Sequence, residues 1–334
     1  MSIQSTILLF LLPLTIYAQA EKRINHKDII WAAKVEAVVG FDISGEASPQ
    51  QLLEAVPVKA IQDNPEAPSL HPFTEKLSQM IERGAFPAYA DKGLQRPLTA
   101  AEARSRLVVA DTIIAFDPET YEEKIHIVSN DLLAGTPFFL TRQLWMYNGR
   151  TNEVETEALA IAPVVENKEK PGQYKPLLWY KLPKPRKSLF KLNSSAVQFA
   201  TYLRYDVSED QMEVLKGEGQ HLKEILIERL QAGALVGYDQ MREPISPSAT
   251  EDLFIQKDTI ITFDPETYEE NVQVVSLEFG PLDIKDFRVQ QNWFFAPSRN
   301  GLQCSTLAVG PAIPVIDEYG AQLALRPLFF WRKE

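Results

Sequence analysis

The chain has 334 residues, of which 45% are hydrophobic and 24% charged, and its formal net charge at pH 7 is -11. This length suggests two domains of about 150 residues each, and each is long enough to bury a core of its own. The acidic balance argues against nucleic acid and anionic lipid as partners, because both are bound through basic patches.

The first stretch of the chain has the pattern of an export signal. Residues 1–20 carry no charge, and residues 7–18 form an apolar run. Ala18-Gln19-Ala20 has the small-x-small form of a signal peptidase site, directly before Glu21. The run is shorter than the roughly 20 residues that a membrane-spanning helix needs. We therefore expect a cleaved signal peptide, an exported protein without a membrane span, and no lipid anchor, since no cysteine lies near the cleavage point.

Two helices are predicted before any strand. Residues 28–39 have apolar side chains at helical spacing, with Asp28 as a cap and Gly40 as a stop. A proline-rich loop follows at 44–72. Residues 73–83 then form the second predicted helix, whose apolar stripe is Leu77, Met80 and Ile81 and whose end is marked by Gly84.

After residue 110 the pattern changes to short β-like runs. The predicted strands are residues 112–116, 124–129, 137–147, 153–165 and 176–182. Asp117-Pro118 provides turn chemistry between the first two strands, and Asn148-Gly149 does so between the third and fourth. Helices followed by an antiparallel sheet of about five strands define an α+β module.

This module occurs twice. Residues 111–123 read DTIIAFDPETYEE, and residues 258–270 match them at twelve of thirteen positions, with Ala115 replaced by Thr262. The helix at 220–231 repeats that at 73–83, and residues 205–208 are aligned with 41–44. We expect a signal peptide at 1–20, a first module at 21–183, a basic proline-containing linker at 184–193 and a second module at 194–334.

The sequence offers no constellation for catalysis. The four histidines are isolated, and no His/Cys cluster, nucleophile elbow or phosphate-binding glycine loop is present. Cys304 is the only cysteine, so no internal disulfide is possible, and a half-buried strand position is favoured over a reactive thiol. No catalytic residue, cofactor or metal is therefore assigned.

Clustered carboxylates leave a calcium site open as an alternative to plain solvated turns. A calcium loop needs several oxygen ligands, but the glycine of an EF-hand loop is absent and proline stiffens each turn. The carboxylates concerned are Asp117, Glu119, Glu122 and Glu123 with Asp264, Glu266, Glu269 and Glu270.

Aromatic side chains concentrate in the predicted sheets. Large aromatic residues usually dominate core burial, but an exposed fraction can bind a partner protein or a sugar. The candidates for partner interface or core are Trp145, Tyr147, Trp179, Tyr180, Trp293, Phe294, Phe295 and Trp331.

Three aromatic motifs of the second module resemble the C-terminal half of the gliding-motility GldN (PorN) family. They are Trp293-Phe294-Phe295, residues 307–311 (LAVGP) and residues 326–331 (RPLFFW). The first module carries looser forms of all three, and residues 28–35 (DIIWAAKV) look like the opening helix of that family.

The resemblance implies a structural role in the periplasm. Members of the family are subunits of the type IX secretion system in Bacteroidetes, where they form a large ring with an outer-membrane lipoprotein of the GldK (PorK) type and contact the motor components. One module per chain is expected in the family, so the duplication leaves the ring stoichiometry open, and it leaves open a diverged paralogue that no longer builds the ring. The alternative is a stand-alone exported protein that binds glycan or peptidoglycan through exposed aromatics. A hydrolase with a carboxylate pair is the weakest hypothesis, because no pair is singled out.

Overall fold

The computed structural model of the protein describes residues 23–40, 73–116, 123–133, 138–167, 169–170, 173–183, 199–263, 270–296, 301–316 and 322–333. The predicted signal peptide, the proline-rich loop at 44–72 and the linker all lie outside these residues. No helix among the described residues is long and apolar enough to cross a bilayer.

The described elements are mostly antiparallel strands. In chain order the strands are β1 Ile29–Gly40, β2 Ala88–Tyr89, β3 Val108–Phe116, β4 Glu123–Asp131, β5 Phe138–Asn148, β6 Glu153–Glu166, β7 Tyr174–Pro176, β8 Trp179–Lys181, β9 Phe199–Ser208, β10 Met212–Lys216, β11 Ile255–Phe263, β12 Glu270–Glu278, β13 Asp286–Ala296, β14 Gly301–Ile316, β15 Gln322–Pro327 and β16 Trp331–Arg332. The α-helices are α1 Phe73–Glu82, α2 Ala100–Leu107 and α3 Leu222–Gln231.

Each module builds one large sheet. The first has the order β10-β1-β5-β6-β8-β2, with β7 also paired to β6, and the second has the order β15-β14-β13-β9, with β16 paired to β14. Both hairpins at the centre follow the same plan, since β5 turns into β6 and β13 turns into β14. The duplicated scaffold that the repeat predicts is therefore present in the fold.

The helix predicted at residues 28–39 is wrong, because these residues form strand β1. Its odd-numbered side chains from Ile29 to Val39 are buried, while the even-numbered ones other than Ala32 are only half-buried. Alternation with period two is the signature of a strand, and β-branched Ile and Val favour it. Each module thus starts with a strand that lies beside its central hairpin, and not with a helix.

The other predicted helices are confirmed as α1 and α3. Gly84 and Gly233 follow them with φ of 69° and 67°. These left-handed positions let Ala85 N–H donate to the Met80 oxygen and Ala234 N–H donate to the Arg229 oxygen, which closes both helix ends. A third helix, α2, was not predicted.

The first hairpin of each module is a separate ribbon rather than part of the large sheet. β3 pairs only with β4, and β11 pairs only with β12, among the described strands. The prediction that these strands belong to a five-stranded sheet is therefore wrong. The turns that join them, at 117–122 and 264–269, lie outside the described residues.

Strand pairing corrects the alignment of the two modules. Gln143 pairs with Val35 in the first sheet, and its counterpart Gln291 pairs with Leu203 in the second. Val35 therefore corresponds to Leu203, so β9 is the second copy of β1. Residues 205–208 therefore correspond to residues 37–40 of β1. The predicted alignment of 205–208 with 41–44 is wrong by four residues, and 41–44 lie outside the described residues.

The second module also contributes a strand to the first sheet. β10 pairs with the free edge of β1, where the Lys34 ammonium and the Glu213 carboxylate lie 2.8 Å apart. This ion pair lowers the pKa of Glu213. The pairing covers an edge that would otherwise be open to other chains, and it ties the two modules together.

The hydrophobic core lies between the two sheets and belongs to both. One cluster packs Trp31, Trp145 and Tyr147 of the first module with Phe287 and Trp331 of the second. Another cluster packs Phe139 and Tyr180 of the first with Trp293 and Leu302 of the second. Burial of these large side chains between the sheets stabilises the packing of the two modules against each other.

Candidate functional site

The structure places most of the candidate aromatic residues in the core. Trp145, Tyr147 and Trp293 are fully buried, and Trp179, Tyr180 and Trp331 nearly so. Phe294 is half-buried. Phe295 pairs with Leu302 in the sheet, and its side chain lies outside the described part of the protein.

Burial of these rings does not favour the glycan-binding alternative. A sugar platform needs an aromatic face that is open to solvent, whereas these tryptophans contact other core side chains.

The central strand of each module carries a glutamine two residues before its tryptophan. Residues two apart on a strand share a face, so the side chains of Gln143 and Trp145 are neighbours. Trp145 Nε1 donates to Gln143 Oε1 at 3.1 Å, and Trp293 Nε1 donates to Gln291 Oε1 at 3.0 Å. Each glutamine thereby supplies the acceptor that a buried indole N–H requires.

These two glutamines meet between the sheets. Gln291 Nε2 donates to Gln143 Oε1 at 2.8 Å. The Tyr205 hydroxyl accepts from Gln143 Nε2 at 2.9 Å and donates to Gln291 Oε1 at 2.8 Å. Gln291 Nε2 also donates to Thr306 Oγ1 at 3.0 Å. Thr306 Oγ1 in turn lies within hydrogen-bond distance, 2.8 Å, of Thr156 Oγ1 in the first module. We name the side chains of Gln143, Gln291, Tyr205, Thr306 and Thr156 the glutamine network.

The glutamine network is a structural site and not a reaction centre. Amide and hydroxyl groups orient one another here, and burial raises the pKa of Tyr205, which keeps its phenol protonated. A fully satisfied buried network specifies one arrangement of the groups that it joins. It therefore fixes the relative position of the two sheets.

Cys304 lies on β14 at the margin of this network. It is buried, which is deeper than the half-buried position predicted. Its Sγ lies 3.9 Å from Thr156 Oγ1. Burial raises the pKa of the thiol to about 12.

We expect the Cys304 thiol to be unreactive in the folded protein, because the thiolate is the reactive form and is scarce at this pKa. Its reaction with a disulfide reagent at pH 8 should be at least about 100-fold slower than that of an exposed thiol. The same reagent should titrate one thiol per chain in concentrated guanidinium. Fast labelling of the native protein would contradict the buried position.

The acidic turns cannot be assembled into a metal site from the described residues. Only Glu123 and Glu270 of the eight carboxylates are described. No group of three or more His, Cys, Asp or Glu side chains within the described ranges could hold a metal ion. The calcium hypothesis therefore stays a prediction about residues outside them.

A surface groove lies at the base of the second ribbon and was not predicted. It has a volume of about 540 Å³ and is lined by α3, by the residue before β11 and by the segment after β12. Its lining residues are Glu224, Ile227, Glu228, Gln231, Phe254, Phe279, Pro281 and Leu282. Leu282 is 79% exposed, and two glutamates lie on the α3 side. This combination is chemically suited to an apolar side chain flanked by basic groups.

Fold and site together define a class of protein: a duplicated, mainly β protein whose distinctive polar groups hold two modules together. The chain belongs to the GldN family, described as gliding motility associated protein GldN, and the match covers residues 62–203 and 197–332. The resemblance in the sequence is thereby confirmed, and the two matched regions agree with two tandem copies of the module. No curated protein matches the chain.

Proposed function

We propose that the protein is a non-enzymatic periplasmic assembly component of the type IX secretion and gliding motility machinery. It acts through protein interfaces, and its partners are an outer-membrane lipoprotein of the GldK (PorK) type and the motor components. The single observation that carries the proposal is the match of both modules to a gliding-motility family. The predicted signal at residues 1–20 supports export to the periplasm.

The shared core adds a physical argument for an assembly role. Both modules contribute to the same hydrophobic clusters, and β10 crosses from the second module to the first sheet. The two modules therefore share one core, and the chain presents two related module surfaces. In a ring, one such chain takes the place of two single-module subunits, which halves the number of chains needed.

Co-purification tests this proposal. The bait is the chain from Glu21 onward with a tag at its new N-terminus, expressed in its own organism and recovered from mildly solubilised envelopes. We expect mass spectrometry to identify a GldK-like lipoprotein, and the complex to have a mass well above the 37.8 kDa of the full chain. A monodisperse monomer that enriches no envelope protein would contradict the proposal.

A matched bait with Gln143→Leu and Gln291→Leu shows whether recovery depends on the native packing of the modules. These substitutions remove the contact between the two amides and leave the surface unchanged. An interface that depends on the relative position of the two modules should lose its partner with this bait, whereas nonspecific recovery should persist.

A further inference from the structure

The two ribbons diverge far less than the core that carries them. Residues 111–123 and 258–270 are identical at twelve of thirteen positions. The central strands β5 and β13, aligned through their shared Gln and Trp, are identical at three of eleven positions. Core strands normally retain more identity than surface segments, because packing constrains them. Here the order is reversed.

Both ribbons have the same pairing. Ile114 lies opposite Ile125 in the first, and Ile261 lies opposite Val272 in the second, with nine aligned pairs in each ribbon. Neither ribbon is joined to a large sheet within the described residues. The two are therefore equivalent elements, each carried beside its own module.

One face of the second ribbon is open to solvent. Val272 on β12 is 56% exposed. Glu270, Ser276 and Glu278 occupy the same face by strand alternation and are exposed as well. An apolar residue at an exposed position of a free ribbon, among exposed polar neighbours, indicates a contact surface.

The requirements of folding do not explain why residues 111–123 and 258–270 are so similar in sequence. A ribbon needs turn chemistry and apolar alternation, and the return strands β4 and β12 keep little more, since they are identical at three of nine positions and Ile125 and Ile127 are replaced by Val272 and Val274. The end of the outgoing strand and the residues that follow it keep the residues themselves, at 111–114 and 116–123. A requirement shared by both ribbons and external to the fold explains this difference, and binding of the same surface is such a requirement.

The negative charge of the ribbons indicates whether they bind a second copy of this chain or a different protein. Each thirteen-residue stretch contains five carboxylates and no basic residue. The whole chain carries a net charge of -11, so the ribbons of one copy and the surface of another repel each other. The complementary occupant is a different protein whose binding site has an apolar strip bordered by lysine or arginine.

We infer that the two ribbons are equivalent docking arms, and that each binds the same apolar, base-flanked site on one partner protein. A single chain then engages two copies of that partner. This inference rests on the proposed function in that it deepens the assembly role by naming the contact elements and the stoichiometry. Two linked arms also raise the overall affinity, since the second contact forms within an existing complex.

Site-specific crosslinking tests the inference. Val272→Cys and the equivalent Ile125→Cys are each labelled with a maleimide benzophenone and added to native envelope extract. The natural Cys304 is buried, so mock-labelled wild type serves as background. Matched controls are Asn271→Cys and Lys124→Cys, the adjacent positions on the opposite face.

We expect both test positions to give the same partner after photolysis, and the control positions to give far less. The doubly labelled chain should yield a product with two partner copies. Different partners for the two ribbons, a product between two copies of this chain, or no product from either ribbon would overturn the inference.

A second measurement does not depend on the label. Val272→Glu places a like charge in the proposed contact of the second ribbon, and Ile125→Glu does so at the equivalent position of the first. Because Val272 is exposed, Val272→Glu should leave the melting temperature unchanged. We expect the double variant to recover at least tenfold less partner than wild type, and each single variant to lose less. Equal recovery by wild type and double variant would contradict the docking role.

The outcomes separate the two proposals. If the wild-type bait recovers the lipoprotein but the ribbons give no crosslink, the assembly role stands and the docking arms fail. If both ribbons crosslink to one protein that is unrelated to secretion, the arms stand and the assembly role fails.

Discussion

Replacing Gly310 with alanine is expected to destabilise the protein by about 3 kcal/mol, an overpacking cost at the upper end of the usual range. A Cβ at this position would lie closer than 3.0 Å to the backbone oxygen of Phe329 and 2.9 Å from Phe330 Cδ1. A backbone oxygen cannot rotate away, so the segment before β16 would have to shift. That shift strains the hydrogen bonds between Phe330 and Tyr238.

Urea unfolding of the variant measures this cost, and the protein offers two comparisons. Gly149→Ala brings its Cβ within 2.9 Å of Ile30 Cγ2, but a side-chain methyl can move, so the loss should stay below about 1 kcal/mol. Ala162 occupies the equivalent place in the first sheet and is buried there, so the first module already accommodates a methyl group. Equal stability of wild type and Gly310→Ala would contradict the close approach of the Phe329 backbone.

Gln291→Leu is expected to cost about 3 to 4 kcal/mol. The substitution keeps the volume of the side chain but leaves the Trp293 indole and the Tyr205 hydroxyl without their acceptor. Each buried polar group that loses its partner costs about 1 to 3 kcal/mol. Unfolding in denaturant measures the loss, and Gln95→Leu, at an exposed position, is the matched control and should change stability by less than about 0.5 kcal/mol.

The double variant with Gln143→Leu tests whether the two glutamines act as a unit. Their amides bond directly, so the combined loss should differ from the sum of the single losses by more than about 0.5 kcal/mol. Additive losses would mean that each glutamine serves only its own tryptophan, and that the contact between the modules contributes nothing.

The sequence predicts the duplication, the two helices with C-terminal glycines and the central strands because each depends on local signals. The repeat is visible in identical residues, and Gly84 and Gly233 mark left-handed positions that few other residues adopt. Helix α2 could also have been found. Thr99 and Glu102 have capping-box spacing, and each side chain accepts a hydrogen bond from the backbone N–H of the other.

Other features could not be predicted because they depend on pairing between distant segments. The sequence of β1 has so many apolar residues that some of them fall at helical spacing. The strand is evident only from the burial of alternate side chains in the structure. The addition of β10 to the first sheet joins residues almost 180 positions apart. The glutamine network likewise needs both modules, and no single stretch signals that Gln143 meets Gln291.

The aromatic motifs illustrate the same limit for the candidate site. Their residues carry the resemblance to the family, but a tryptophan in a core and one on a surface look alike in a sequence. Trp145 and Trp293 are buried, whereas Val272 of the second ribbon is exposed. The repeated stretch in the sequence marks both ribbons, but only the strand pairing shows that they are separate from the large sheets.

Deletion of the gene in its own organism tests the assembly role most directly, with the proteins of the culture medium quantified by mass spectrometry. We expect proteins normally exported by the type IX system to disappear from the medium and accumulate in the periplasm, and a plasmid copy of the wild-type gene to restore them. An unchanged set of secreted proteins in the deletion strain would contradict it.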